Sequence, residues 1–342
     1  MERGPIFIGG VERSGTSLLY ALLASHPNIA MTRRTNLWPF FYKQYGNLAE
    51  PQNLDRLLTT WKTYRRVWVL HPDLEAIRKK FYKGETSYTR LFALLWGQIA
   101  ARMDKPRWGD KSLNTERYAD VIFRAYPGAR ILHIVRDPRD RFASALKRWK
   151  VIRGGVGSGA GMWLDSVRIG YRNLRKYPNQ YRFVRYESLA SEPEKMMREI
   201  CDFIGEKYTP EMLTMRGAEN FRDEGGNSSF EQHTPGTIST SSVGRYRKYL
   251  TPRSIAFIQA AAGREMQSLD YALDDIHLPG REQLLFAALD MPLNSARLNA
   301  WRLREAYLDR VGRSIPPSRL VDADSDTASL SLAPPASSPE GK

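Results

Sequence analysis

The chain has 342 residues, of which 52 are Lys or Arg and 37 are Asp or Glu, a formal charge of +15. With 42% hydrophobic residues, 8 Trp, 17 Tyr and 13 Phe it can fill a core, which excludes a disordered or collagen-like chain. Its one cysteine, Cys201, excludes an internal disulfide and cannot alone supply a structural zinc site; no apolar run approaches the roughly 20 residues that span a bilayer.

Residues 1–4 lead straight into an apolar strand without the layout of a signal peptide, so a reducing, cytoplasmic setting is expected. Residues 5–11 read as a buried strand and residues 18–25 as a helix that ends at His26-Pro27. A short strand is expected over 28–31, then helices over 54–61, 73–81 and 88–102. Residues 106–111 read as a strand, 114–126 as a helix and 130–135 as the strongest strand of the chain. A helix over 138–150, a strand over 181–186 and a helix over 193–204 follow. Strands alternating with helices predict an α/β, P-loop-like three-layer fold with a central, mostly parallel sheet flanked by helices. The glycine-rich stretch 154–161 reads as a flexible connector or a mobile lid, and the polar stretch 222–242 as a long surface loop. The main domain is expected over 1–275, with a helical appendage over 276–314 that either caps the monomer or forms a homodimer interface. Residues 315–342, rich in Pro, Ser, Ala and Asp, read as a disordered tail.

After the first strand comes Gly10-Val11-Glu12-Arg13-Ser14-Gly15-Thr16-Ser17, nearly the phosphate loop G-x-x-x-x-G-K-[ST]. Such a loop curls so that its N–H groups and the dipole end of the next helix meet one anion. Thr16 stands where an ATPase places its lysine, which weakens contact with the β- and γ-phosphates of ATP, and Arg13 offers a cation at a different angle. The strand over 130–135 ends in Arg136-Asp137-Pro138-Arg139-Asp140. Ligands of parallel sheets bind beyond the carboxyl ends of strands, and Arg136 sits at one. Ser144 lies two helical turns further on and Arg148 one turn beyond that, so Arg136, Ser144 and Arg148 can converge on a phosphate. The competing assignment is a surface ion pair of Arg136 with Asp137 or Asp140.

These two motifs resemble those of the sulfotransferases that use 3′-phosphoadenosine 5′-phosphosulfate (PAPS). Residues 8–19 are similar to that family's 5′-phosphosulfate loop, and Val135-Arg136-Asp137-Pro138-Arg139-Asp140 with Ser144 to its 3′-phosphate motif. Tyr186, in Val184-Arg185-Tyr186-Glu187, resembles the tyrosine that contacts adenine, and Arg245, in Ser242-Val243-Gly244-Arg245-Tyr246, the later Arg-aromatic motif. The resemblance covers residues 5–250, is nearest the tyrosylprotein-type and bacterial members, and implies in-line transfer of a sulfuryl group from PAPS to a hydroxyl or amine. It implies that Arg13, Ser14, Gly15, Thr16, Ser17, Arg136, Ser144, Arg148, Tyr186 and Arg245 bind PAPS, that Arg13 and Lys111 supply catalytic cations, and that no metal is required. The acceptor is expected to be a small molecule, glycan or peptide; nucleic acid is not expected, because the charge is dispersed and no reader motif is present.

The general base is not evident. The position of the family's glutamate falls at Arg34. Glu85 and Asp110 are the carboxylates nearest to strand ends; Glu12 and His71 are further candidates, whereas His133 lies mid-strand and reads as a core residue. Residues 33–42 are expected to form an acceptor wall, with aromatics to stack on a ring and arginines to meet an acidic acceptor. A nucleotide phosphotransferase and a catalytically inactive binding protein of the same fold remain the competing readings.

Overall fold

The computed structural model describes residues 3–149, 154–227 and 236–321. Five strands, β1 Ile6–Gly9, β2 Ile29–Arg33, β3 Arg107–Lys111, β4 Arg130–Val135 and β5 Tyr181–Arg185, form one sheet in the order β2-β3-β1-β4-β5. Every pairing is parallel, so all five carboxyl ends share one edge. The first half of the chain supplies helices α1 Thr16–Ala24, α2 Leu37–Phe41, α3 Pro51–Thr63, α4 Arg65–Trp68, α5 Leu74–Phe81, α6 Tyr88–Arg102, α7 Ala119–Ala125 and α8 Pro138–Trp149. The second half supplies α9 Gly155–Lys176, α10 Tyr186–Ser191, α11 Pro193–Ile204, α12 Glu219–Asp223, α13 Tyr246–Tyr249, α14 Pro252–Gln267, α15 Gly280–Leu285 and α16 Met291–Val311.

Strand alternation sorts the core into layers. Phe7, Ile131 and Tyr181 face one side of the sheet and pack with α3, α6 and α7 around Trp38, Trp61 and Trp96. Ile6, Ile8, Leu132, Ile134 and Val184 face the other side, against α1, α10 and α11. A third cluster joins Val11 and Val135 to α8, α9 and α14. Local signals set the helix ends. The Asp73 and Ser87 side chains accept the Ala76 and Arg90 amides to cap α5 and α6, and Gly205, at φ 75°, terminates α11. Among the described residues no helix is long and apolar enough to cross a membrane.

Three expectations change. The glycine-rich stretch is neither connector nor lid, because residues 155–161 are the first turns of α9. The glycines are there for close approach: a methyl group at Gly157 would run into the Asn294 carbonyl, and one at Gly161 would lie 3.2 Å from Leu298 and Trp301. The appendage is therefore seated, with α16 lying along α9 through this seam. Replacing Gly157 with alanine is expected to lower unfolding stability by about 1 kcal/mol. Overpacking at roughly 1–3 kcal/mol outweighs the roughly 1 kcal/mol that alanine gains in a helix. A urea midpoint that falls at constant m checks it.

The first residues of the expected tail, 315–321, are not a tail. After α16 the chain turns at Gly312, φ 87°, and runs back as a strap. Leu320 forms an antiparallel bridge with Tyr64, the Val321 amide donates to the Thr63 carbonyl at 2.7 Å, and Ile315 packs on the aromatic cluster. Residues 322–342 of that tail, and 228–235 of the polar loop, lie outside the described residues. Finally, half of the acceptor-wall aromatics turn inward. Trp38 and Phe41 are buried in the core, while Phe40 and Tyr42 stay half-buried beside the arginines of that segment.

Candidate active site

The loop after β1 lies on the shared carboxyl edge, where the sheet order leaves β1 between β3 and β4. Gly10 and Gly15 have φ values of 115° and 94°, and Arg13 takes the same left-handed region at 66°. Gly15 also has no room for a side chain, since the Tyr186 ring packs against its Cα. No side chain caps the first turn of α1; the Leu18 amide donates to the Gly15 carbonyl at 3.0 Å, and the Thr16 and Ser17 amides before it suit an anion. The Ser14 hydroxyl is buried without a hydrogen-bond partner. A buried polar chain fixes the start of the loop. The Gly10 amide donates to Glu116 Oε2 at 2.9 Å, Glu116 is hydrogen-bonded by Ser166, and Ser166 reaches His133 Nε2 at 3.0 Å. His133 Nδ1 in turn lies 2.6 Å from the Tyr181 hydroxyl. Burial pushes the His133 pKa down, and the residue is a hydrogen-bonded core group.

The structure brings the second motif to this loop. Arg13 Nε donates to Ser144 Oγ at 3.0 Å, and Arg136 Nη1 to the Arg13 carbonyl at 3.3 Å. Arg136 lies over the Tyr186 ring at 4.5 Å, donates through Nη2 to the Ser242 carbonyl at 2.6 Å, and leaves its buried Nε without a partner. Among the described residues Arg136 has no carboxylate within ion-pair distance, and the hydrogen bonds of the acids beside it go elsewhere. Asp137 pairs with Arg139 at 2.6 Å, and Asp140 accepts the amides of Gly244 and Tyr246 at 2.6 and 2.8 Å. That second pair seats the turn carrying Arg245 onto α8, an anchoring role that sequence spacing alone does not reveal. Arg148 stands exposed in the last turn of α8. Burial, then the charges of Arg136 and Arg148, lower the Arg13 pKa. Arg13 thus reaches toward Ser144 and Arg136, the expected 3′-phosphate side.

Lys111 closes the other end. It ends β3 beside Ile8 of β1 and Arg33 of β2, and its Nζ lies 3.5 Å from Ser17 Oγ in the first turn of α1. Burial, then the charges of Arg34 and Arg33, push its pKa down to about 7. Thr16 is buried beside it at the helix start.

The candidate bases fare differently. Asp110 is wholly buried: its carboxylate accepts from the hydroxyls of Thr32 at 2.7 Å, Thr35 at 2.9 Å and Ser112 at 2.7 Å. Burial raises its pKa while these donors pull it back, and its role here is to tie β3 to the start of α2. Glu85 is exposed between α5 and α6, with no hydrogen bond or ion pair to the loop or to Lys111. Glu12 faces Arg141 at 3.6 Å. His71 lies by the carboxyl end of α6, where its carbonyl accepts from Arg102 at 2.7 Å, away from the carboxyl edge of the sheet. Arg34, φ 59°, follows β2, and its amide donates to the Lys111 carbonyl at 2.6 Å. The site therefore gathers cations on two sides of a helix N-terminus and presents no carboxylate to Lys111 among the described residues.

A family description, the sulfotransferase family, matches residues 5–210. A putative protein-tyrosine sulfotransferase of Caenorhabditis briggsae is 26% identical over 213 residues, 61% of this chain and 68% of that protein. The protein-tyrosine sulfotransferase of Drosophila melanogaster is 26% identical over 220 residues, 61% of this chain and 39% of that protein. Carbohydrate sulfotransferase 5 of Mus musculus is 29% identical over 194 residues, 48% of this chain and 47% of that protein. The chain thus spans between 39% and 68% of these relatives' lengths. Among solved structures, the sulfotransferase domain of the Synechococcus PCC 7002 olefin synthase superposes with a TM-score of 0.54 at 24% identity, over 79% of this chain and 95% of that one. The sulfotransferase domain of the curacin biosynthetic pathway gives 0.52 at 20% identity, over 79% and 99%. These two likenesses speak to the fold.

Proposed function

The chain belongs to the sulfotransferase family, and from that premise we propose that it transfers the sulfuryl group of PAPS to a hydroxyl or amine acceptor. The observation that carries this reading is the convergence of Arg13, Arg136 and Ser144 on one side of the loop, with Lys111 on the other. The unpartnered Ser14 hydroxyl and Arg136 Nε suit such a ligand, because both are buried polar atoms with a hydrogen bond to make. Arg136, Ser144, Arg148 and the turn of Arg245 would hold the 3′-phosphate, and Tyr186, already stacked on Arg136, would meet the adenine.

When bound, PAPS supplies an activated sulfuryl group; its sulfur–oxygen bond to the 5′-phosphate breaks as a bond to the acceptor forms. Lys111 and the first amides of α1 would then balance the charge left on that phosphate. A phenol held beside Lys111, Arg33 and Arg34 would give its proton to water more readily than in bulk solution, because cations lower an acid's pKa. This offers a physical reason why a carboxylate base is dispensable here. A reducing, cytosolic setting remains part of the proposal, motivated by the single buried cysteine, Cys201.

The competing phosphotransferase reading requires a lysine where Thr16 stands. Calorimetry in EDTA separates the two: adenosine 3′,5′-bisphosphate is expected to bind at least tenfold more tightly than ATP, and PAPS to be consumed when a phenol is added. Preference for magnesium–ATP would sink the assignment.

A further inference from the structure

Beyond Lys111, on the acceptor side, four arginines meet from three separate parts of the chain. Arg33 ends β2, with its Cα paired to that of Lys111 and its guanidinium 5.7 Å over the Tyr20 ring. Arg34 follows, tied through its amide to the Lys111 carbonyl. Arg66 comes from α4. Arg319 comes from the strap; its guanidinium lies 5.2 Å over the Phe40 ring and its charge acts on the Tyr64 hydroxyl, which accepts from Asn36 Nδ2 at 3.1 Å. The Tyr64–Leu320 bridge and the Val321–Thr63 hydrogen bond hold this end of the strap in place.

Elsewhere the chain matches buried or half-buried arginines with acids, as in Arg107–Glu206, Arg117–Asp165 and Arg139–Asp137. None of the four arginines in this group has a carboxylate within ion-pair distance among the described residues. Arg34 is exposed and the other three are half-buried; partial desolvation, then repulsion from the neighbouring arginines, disfavours the charge on Arg34 and Arg66. Four like charges held together without a counter-charge are costly unless an anion joins them, and guanidinium forks fit carboxylate, sulfate and phosphate oxygens. The nucleotide's phosphates are already provided for at the other motifs. The adjacency to Lys111 makes the remaining anion part of the acceptor.

We propose that Arg33, Arg34, Arg66 and Arg319 form a subsite for an anionic group carried by the acceptor, and that the C-terminal strap completes this subsite. The proposal rests on the sulfuryl-transfer reading and deepens it by naming an acceptor class: a hydroxyl compound bearing a carboxylate, sulfate or phosphate. Arg319 is in it a specificity residue supplied from outside the segment matched by the family.

The test is calorimetry on the full chain saturated with adenosine 3′,5′-bisphosphate, using two phenols of similar size, 4-hydroxyphenylacetate and tyramine, and inorganic sulfate. The carboxylate phenol is expected to bind at least tenfold more tightly than tyramine. Arg319→Gln and Arg66→Gln are each expected to cut that preference by threefold or more, with unchanged nucleotide affinity and melting temperature. Equal affinity for the two phenols, or a preference that survives both substitutions, would overturn the proposal. Binding of sulfate alone, with no preference between phenols, would reject the acceptor assignment in favour of a free-anion site. Failure of the nucleotide to bind would instead reject the sulfuryl-transfer reading, and the phenol preference measured without nucleotide would still judge the subsite.

Discussion

Arg136→Ala is expected to weaken binding of adenosine 3′,5′-bisphosphate by roughly 1.5–3 kcal/mol, the range for hydrogen bonds to charged groups, or about 10- to 150-fold. The geometry makes this residue the best single test of the nucleotide site. Its neighbours in the motif are committed to structure: Arg139 is held by Asp137, Gln259 and the Ala272 carbonyl, and Arg141 by the carbonyls of Glu12 and Gly159. Arg136 alone combines a contact to the loop, a stacked tyrosine and an unmet donor. Calorimetry at fixed salt measures the change, and an affinity within twofold of the parent would refute the placement of the 3′-phosphate. Salt must be fixed because part of the attraction comes from exposed Arg148 and is screened.

Lys111→Met carries the second large effect, a fall in turnover of roughly 10²- to 10³-fold, the usual loss when one preorganised charge donor is removed. Methionine keeps most of the buried volume, so the fold is retained. Affinity for PAPS is expected to fall far less than turnover, because the charge beside Ser17 would grow only as the sulfuryl group departs. The pH dependence gives an independent readout. In the free protein the lysine pKa lies at about 7, so the ammonium is present below that pH and lost above it. An anion favours the charged form and raises the pKa in the complex. Nucleotide affinity should therefore fall as pH rises through 7, with a proton taken up on binding, and Lys111→Met should lose this slope. Ionisation of the nucleotide itself is common to both proteins and cancels in their difference. Identical pH profiles for the two would exclude Lys111 from the charge balance.

Much of the sheet and of the loop after β1 is legible in the sequence, since it depends on short-range rules. The run over 130–135 and the Pro-started stretch 193–204 match β4 and α11 end for end, because an apolar run, a proline at the first helical turn and a glycine at its close act locally. The loop and the Arg136 motif were readable for the same reason. What was not readable depends on distant partners. Glycines argue against a helix, yet residues 155–161 form one because Asn294, Leu298 and Trp301 of α16 press against them. Asp110 looked like a base, although strand alternation places it and Lys111 on opposite faces of β3, so that both could not serve one site. The roles of Glu116 behind Gly10 and of Asp140 behind the Arg245 turn have no local signature at all.

The strap has a further consequence, in the order in which the molecule assembles. The sheet is complete once Arg185 has been added, and Arg136 gains its last partners with the Tyr186 ring and the Ser242 carbonyl. Arg66 and Arg319, by contrast, are separated by roughly 250 residues, and contacts that close so long a loop form late. A chain folding as it is synthesised is thus expected to become able to hold nucleotide well before it can select an acceptor. Acceptor selectivity is then expected to follow nucleotide binding rather than to accompany it.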